Sequence, residues 1–336
     1  MESCFFKLLS KIKTGTCITV TLRASRVTLR LIKFDPVNAS ITGVDFNGHT
    51  IIINANKIES FILSPNPNII PSQIFSSNFF QKNVNVVNSL TNTLIKKIPN
   101  PFTPPKENQG IAALPGTRKV YATSGSSFSL SNPGGLFIID AITNQVIKTF
   151  PEINFAYSVA VNPITKLVYV RSSIDKLVII DGRTDTIINT ITVDIPAESQ
   201  RAGIALGPNV MAVNSVTNRI YISGAASRGN VVPPDNYVLV LDGQTNNLIA
   251  VVKLNVSRSD EKFPTTIAIN QNTNKIYVTN EQEGSVSVID GFTNSVVTTI
   301  QLGVRTLGVT ANPITNKIYV AGVGDVGGRT SVLIFV

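Results

Sequence analysis

The sequence predicts an all-β fold: a six-bladed β-propeller of four-stranded antiparallel blades, preceded by a small β-barrel-like domain. Three observations predict it. First, a short run carrying an aromatic residue recurs six times: "SQIFSSN" at Phe75, "RKVYATS" at Tyr121, "KLVYVRS" at Tyr169, "NRIYISG" at Tyr221, "NKIYVTN" at Tyr277 and "NKIYVAG" at Tyr319. The aromatics lie 46, 48, 52, 56 and 42 residues apart, intervals that suit propeller blades better than the shorter, more uniform solenoid repeats. Second, each run is followed by an alternating strand: "NVNVVN", "GLFIID", "KLVIID", "YVLVLD", "SVSVID" and "SVLIFV". The period is that of a strand, and the 3.6-residue period of a helical repeat is absent. Third, in five copies that strand runs into a polar turn and another strand, and in most copies a further strand precedes the aromatic, as in "YSVAVNPIT" and "TTIAINQNT". The unit is four short strands.

Taken in order, residues 1–60 open with the amphipathic "FFKLLSKIK" and continue through "TCITVTL", "RVTLRLIKF", "SITGVDF" and "TIIINANKIESFIL". Turn signals at "RAS", "DPVNA" and "NGH" separate them, a pattern that suits an SH3-like or Sm-like barrel with a leading helix. Residues 61–336 are the propeller, with blades at about 61–100, 108–151, 156–194, 209–255, 264–303 and 306–336. Seven blades result if residues 15–60 form a blade themselves. The strand-ending residue of each "DGxTN"-like turn is Asn88, Asp140, Asp181, Asp242 or Asp290. A carboxylate there can accept hydrogen bonds from turn N–H groups, and the Gly and Asn that follow tolerate positive φ. Asp140, Asp181, Asp242 and Asp290 are accordingly structural turn residues. The "NPxTN" stretch does the same between the first two strands. The last repeat stops at its third strand, with Phe335 where other copies place Asp. An uncovered edge invites aggregation, so a strand from the N-terminal region is expected to complete that blade. The other route is a strand from a neighbouring chain, which would link subunits by β-augmentation.

Composition bounds the functions. The chain has 336 residues, 43% of them apolar, ample for a core. The net charge is +9, and the first 60 residues hold eight basic against four acidic side chains. No tight Lys/Arg run appears, so the charge reads as a solvated surface. Cys4 and Cys17 form neither a disulfide framework nor a metal-ligand spacing. The lone His49, in the turn "NGHT", excludes a multi-histidine metal site or a His-dependent triad within the propeller. "GVGDVGG" lacks the helix a phosphate loop needs. No cofactor and no metal are expected. The N-terminal apolar stretch is broken by Lys7, so no signal peptide is expected, and no window approaches a membrane-spanning helix.

The phrases "NKIYVTN", "VIDGFTN" and "NPITNKIYV" resemble the YVTN-type β-propeller repeat proteins, named for the tetrapeptide standing here as Tyr277, Val278, Thr279 and Asn280. The resemblance covers about residues 61–336, strongest in the fifth and sixth repeats. It implies a propeller of the kind found in surface or surface-layer proteins, with no shared catalytic chemistry. The missing export signal departs from that pattern; deposition in a spore coat would reconcile the two, and the compartment is left unassigned.

In a blade of strands a to d, the a–b and c–d turns share one face of the propeller and the b–c loops and d–a connections the other. The irregular insertions 124–135, 194–209, 224–236, 256–264 and 322–330 all fall on the second face, which is therefore the candidate binding surface. Its binding candidates are Arg171, Arg201, Arg228, Arg258, Arg305, Asp325 and Arg329. The function expected is a non-catalytic binding or structural protein, an interaction scaffold or surface or coat component capable of self-assembly. Its partners would be protein, itself, a glycan or an acidic polymer. Two alternatives stand beside it: a lyase-like or dehydrogenase-like propeller enzyme using the irregular face, and nucleic-acid or acidic-polymer binding through "RVTLRLIK". Nucleic acid is not the expected partner, because no stacking aromatics accompany those bases.

Overall fold

The computed structural model describes residues 17–22, 25–35, 38, 40–44, 50–54, 58–63, 73–78, 81–89, 91–105, 107–125, 134–172, 176–193, 202–203, 211–228, 231–254, 264–281, 283–323 and 331–335. The expected leading helix, Cys4 and His49 lie outside them. The chain divides into two compact units: residues 1–73 with 115–118, and residues 74–114 with 119–336.

In the first unit, β1 (Cys17–Leu22), β2 (Ser25–Asp35), β3 (Ser40–Val44), β4 (Thr50–Asn54) and β5 (Ile58–Leu63) form one antiparallel sheet in the order β4-β3-β2-β1-β5. Ile41 and Ile53 face each other across β3 and β4 and are buried, whereas the adjacent Ile52 is exposed, the alternation of a one-sided sheet. The turn after β2 is held by Asp35, whose Oδ1 accepts the Asn38 N–H at 3.1 Å. The fifth strand runs to Leu63, past the boundary expected at residue 60. Strand β1 pairs with both β2 and β5.

The second unit is a succession of antiparallel sheets. The first contains β6 (Gln73–Asn78), β7 (Asn83–Asn88) and β8 (Thr93–Pro99). The next two have four strands each in simple meander: β9 (Asn108–Ala113), β10 (Lys119–Gly125), β11 (Gly134–Asp140), β12 (Gln145–Phe150), then β13 (Ala156–Val161), β14 (Leu167–Ser172), β15 (Lys176–Asp181), β16 (Thr186–Thr192). The fourth has β17 (Ala202–Gly203), β18 (Met211–Asn214), β19 (Arg219–Arg228), β20 (Val231–Asp242) and β21 (Leu248–Lys253), with β17 and β18 both on β19. The fifth is β22 (Pro264–Asn270), β23 (Lys275–Asn280), β24 (Ser285–Asp290), β25 (Ser295–Gln301), and the sixth is β26 (Arg305–Asn312), β27 (Lys317–Val323), β28 (Ser331–Phe335). The leading strands β9, β13, β18, β22 and β26 each pack against the next in line, as the inner strands of propeller blades do.

The hydrophobic core lies between sheets. Val168 and Val170 of β14 join one cluster with Tyr121 and Ile138 of the preceding sheet, while Tyr169 between them joins another with Ile220 and Leu239 of the following one. A strand buried on both faces needs apolar residues at every position, which is why β11 is buried along its whole length and reads "GGLFIID".

The turns carry the chemistry that repeats. Asp140 accepts the N–H groups of Ile142 and Thr143, Asp242 those of Gln244 and Thr245, and Asp290 those of Phe292 and Thr293, at 2.8–3.2 Å. Asp181 accepts the Arg183 N–H at 2.8 Å. The turn closes at its fifth residue, which takes positive φ: Asn92, Asn144, Asp185, Asn246 and Asn294. Positive φ was expected of the glycines as well, and Gly182, Gly243 and Gly291 do not adopt it. Each is needed for close approach instead, since its N–H donates to a carbonyl of the a–b turn, as Gly243 does to Asn218 at 2.7 Å. The a–b turns are also tied sheet to sheet: the side-chain amide of Asn162 donates to Asn218 Oδ1 at 2.8 Å, Asn214 to Asn274 at 2.7 Å and Asn270 to Asn316 at 3.1 Å.

Asp290 also accepts Lys275 Nζ at 2.7 Å. That bond and the two turn N–H groups hold its carboxyl at about 2, below the ordinary 3.8. A depressed folded-state pKa adds stability that is complete above the unfolded value and vanishes as pH falls through the folded one. The Lys275→Met variant is therefore expected to lose stability relative to the parent above pH 4, with the difference shrinking as pH falls from about 4 to about 2. Urea unfolding at stepped pH reads this; a difference independent of pH would refute it.

Candidate polar ring at the irregular face

In the four middle repeats, from Tyr121 to Tyr277, the residues two and three places after the aromatic supply a row of buried polar side chains. They include Thr123, Ser124, Arg171, Ser172, Ser223, Thr279 and Asn280, all at the b–c end of the sheets. Local register explains them. The a–b pairing slips by a residue between Ala122 and Ser124 and again between Pro264 and Ile267. At each slip a threonine hydroxyl takes over the orphaned backbone donor: Thr123 Oγ1 accepts the Gly110 N–H at 2.7 Å, and Thr279 Oγ1 accepts that of Thr266 at 3.0 Å.

Other members reach the neighbouring sheet. Thr123 Oγ1 donates to the Tyr157 carbonyl at 3.2 Å, and Thr306 Oγ1 donates to that of Asn280 at 3.1 Å. Asn100 Nδ2 donates to Ser124 Oγ at 2.7 Å, while within its own sheet Asn280 Nδ2 donates to Ser285 Oγ at 3.0 Å and Ser287 Oγ at 2.9 Å. The "YxTN" signature is thus a hydrogen-bonding device at the b–c end.

Arg171 takes the place that Thr or Ser fills in the neighbouring repeats. Expected as a binding candidate of the irregular loops, it is 1% exposed in β14, paired in register with Ser158 and Leu177. Burial lowers its guanidinium to about 9, and burial likewise raises the hydroxyl of the adjacent Tyr157. A cation held in so poorly hydrated a setting polarises its surroundings far more than a surface arginine does. Arg305 instead begins β26 and forms an ion pair with Glu281. Arg228 ends β19 opposite Val231. Arg201, Arg258, Asp325 and Arg329 lie outside the described residues. Among the described residues no three His, Cys, Asp or Glu side chains gather as metal ligands.

The insertion expected to be irregular at 224–236 is a paired hairpin with one register slip, between Ala226 and Arg228, another correction. β19 and β20 stay paired from Arg219–Asp242 out to Arg228–Val231, and β17 adds to Ala225 and Ala226. Pairing with β21 ends at Tyr237, and Pro233 and Pro234 fall within the register slip between the Ala226–Asp235 and Arg228–Val231 pairs, where a missing donor is tolerated. The alternation "VVPPDNYVLVLD" hides this strand because its prolines read as loop.

Comparison with solved structures gives a TM-score of 0.62 to hydrazine synthase of Kuenenia stuttgartiensis, at 13% identity and covering 89% of this chain and 92% of that one. The fold is propeller-like. Among curated proteins, the uncharacterised protein YncE of Salmonella typhi, and that of Salmonella typhimurium, are 21% identical over 179 residues, 53% of this chain. The match spans about half the length of those relatives, 47%. No family model matches the chain. At these identities the likeness concerns the fold alone.

Proposed function

We propose that the chain is a non-catalytic scaffold of the YVTN-repeat type, a six-bladed ring that binds partners or copies of itself as a surface or coat component, with the N-terminal sheet as a barrel-like docking module. The observation that supports this reading is where the repeated polar groups are spent. The carboxylates of Asp140, Asp181, Asp242 and Asp290 accept N–H groups of their own turns. Asp185 accepts Tyr121 Oη at 2.9 Å and pairs with Lys119 at 2.7 Å across two sheets. Repetition here builds a frame, and the parts that differ between repeats cluster at the b–c end, where recognition on a rigid frame belongs.

The test is the mass of the purified chain in solution over a range of concentrations, with micrographs of the same samples. Discrete higher assemblies or filaments are expected. A strict monomer at every concentration would overturn self-assembly and leave ligand binding at the b–c end, to be sought by glycan and acidic-polymer screening.

A further inference from the structure

The opposite end of the propeller carries an unexplained pattern. The third residue of the a–b turn is apolar and exposed in three sheets: Ile164 at 65%, Val216 at 69% and Ile314 at 90%. The same place in the c–d turn of the fifth sheet holds Phe292, 72% exposed. Turn geometry does not ask for these residues, because Asn272 and Gln244 fill the equivalent places in other copies.

A second row lies just behind. In every described c–d pairing the ladder slips shortly after the turn and skips one outer-strand residue: Ile95, Ile147, Ile188, Ile249 and Val297. Each is β-branched, apolar and exposed. A bulge on an outer strand discourages edge pairing, but that purpose is served by a polar residue as well as by isoleucine.

Charge on the same end is mixed, with a basic excess. The turn carboxylates accept N–H groups of their own turns, and Arg183 Nη1 lies 3.8 Å from Asp181 and donates to the Thr165 carbonyl at 2.8 Å. Lys317 is exposed beside the apolar tips, and Lys166 is partly so. Basic residues outnumber acidic ones along these turns.

Isolated aliphatic tips separated by Thr and Asn, with a single aromatic among them, do not resemble a protein-binding core, which concentrates aromatics and Met and excludes Lys. They do match a fluid surface that single side chains can enter one by one while cations meet anionic headgroups. From these observations we propose that the a–b/c–d turn end docks on an anionic phospholipid surface, with Ile164, Val216, Phe292 and Ile314 entering the headgroup region and Lys166 and Lys317 facing the phosphates. The proposal rests on the propeller fold and stands apart from self-assembly.

The experiment is co-sedimentation of the full chain with vesicles of phosphatidylcholine alone and of phosphatidylcholine mixed equally with phosphatidylglycerol. The parent is expected to pellet with the anionic vesicles, less so with rising salt, and weakly with the neutral ones. The combined Ile164→Ser, Phe292→Ser, Ile314→Ser variant is expected to keep its melting temperature and lose about tenfold or more of that partition. No binding by the parent, equal binding to both vesicles, or an unaffected triple variant would each overturn the proposal. So would a concentration-dependent oligomer that the triple variant abolishes while neither protein binds vesicles; that result would assign the surface to a second copy.

Discussion

Tyr169→Ala is expected to destabilise the propeller unit by about 3–5 kcal/mol, the cost of a large void in a core that cannot collapse. Its ring is wholly buried between two sheets, against Leu177 and Ile179 of its own sheet and Ile220 and Leu239 of the next. The hydroxyl contributes nothing by comparison: it has no hydrogen-bond partner, and burial pushes it up to about 12. Tyr169→Phe is therefore expected to be neutral or slightly stabilising. Tyr121 makes the contrast within the same chain. Its hydroxyl donates to Asp185 at 2.9 Å, so Tyr121→Phe is expected to cost about 1.5–3 kcal/mol, the range for hydrogen bonds to charged groups. Urea or thermal unfolding of the three variants reads the order directly. A Tyr169→Phe variant as damaged as Tyr121→Phe would show that the inter-sheet packing described here is wrong.

Gly243→Val is expected to cost about 2–4 kcal/mol, from overpacking and a strained hydrogen bond together. A Cβ at Gly243 would lie 2.4 Å from Asn218 Oδ1 and 2.7 Å from the Asn218 carbonyl oxygen. The first of those atoms accepts from Asn162 in the preceding sheet, and the second accepts the Gly243 N–H. The Cβ alone thus disturbs both the hairpin-to-hairpin bond within a sheet and the bond between sheets. Gln244→Val, one residue on and exposed, is expected to stay within about 0.5 kcal/mol. Equal effects at the two positions would mean that the turns do not interlock as they do here.

The turns were legible because their chemistry is local. An Asp accepts the N–H groups two and three residues on, and an Asn takes positive φ four residues on, whatever the rest of the chain does. The strands were legible for the same reason, as alternation or continuous apolar runs. The glycines were misread because close approach depends on another turn, the carbonyls of Lys166, Asn218 and Asn274. The hairpin of β19 and β20 was hidden by Pro233 and Pro234, whose missing donors matter only on a paired edge. The polar ring had a signal in the Thr, Ser or Arg standing two places after every aromatic but Tyr319, but not its meaning. Those hydroxyls answer ladder slips that no single repeat displays.

The sequence by itself determined the unit, its four-strand period and the turn chemistry, since these follow from spacings within about 50 residues. Tertiary structure alone decided which side chains lie between sheets: that Arg171 is a buried cation and not a loop charge, that the N-terminal strands pair with one another, and that Ile164 and Ile314 stand out into solvent. Burial is a property of two surfaces meeting. A repeat read alone contains only one of them.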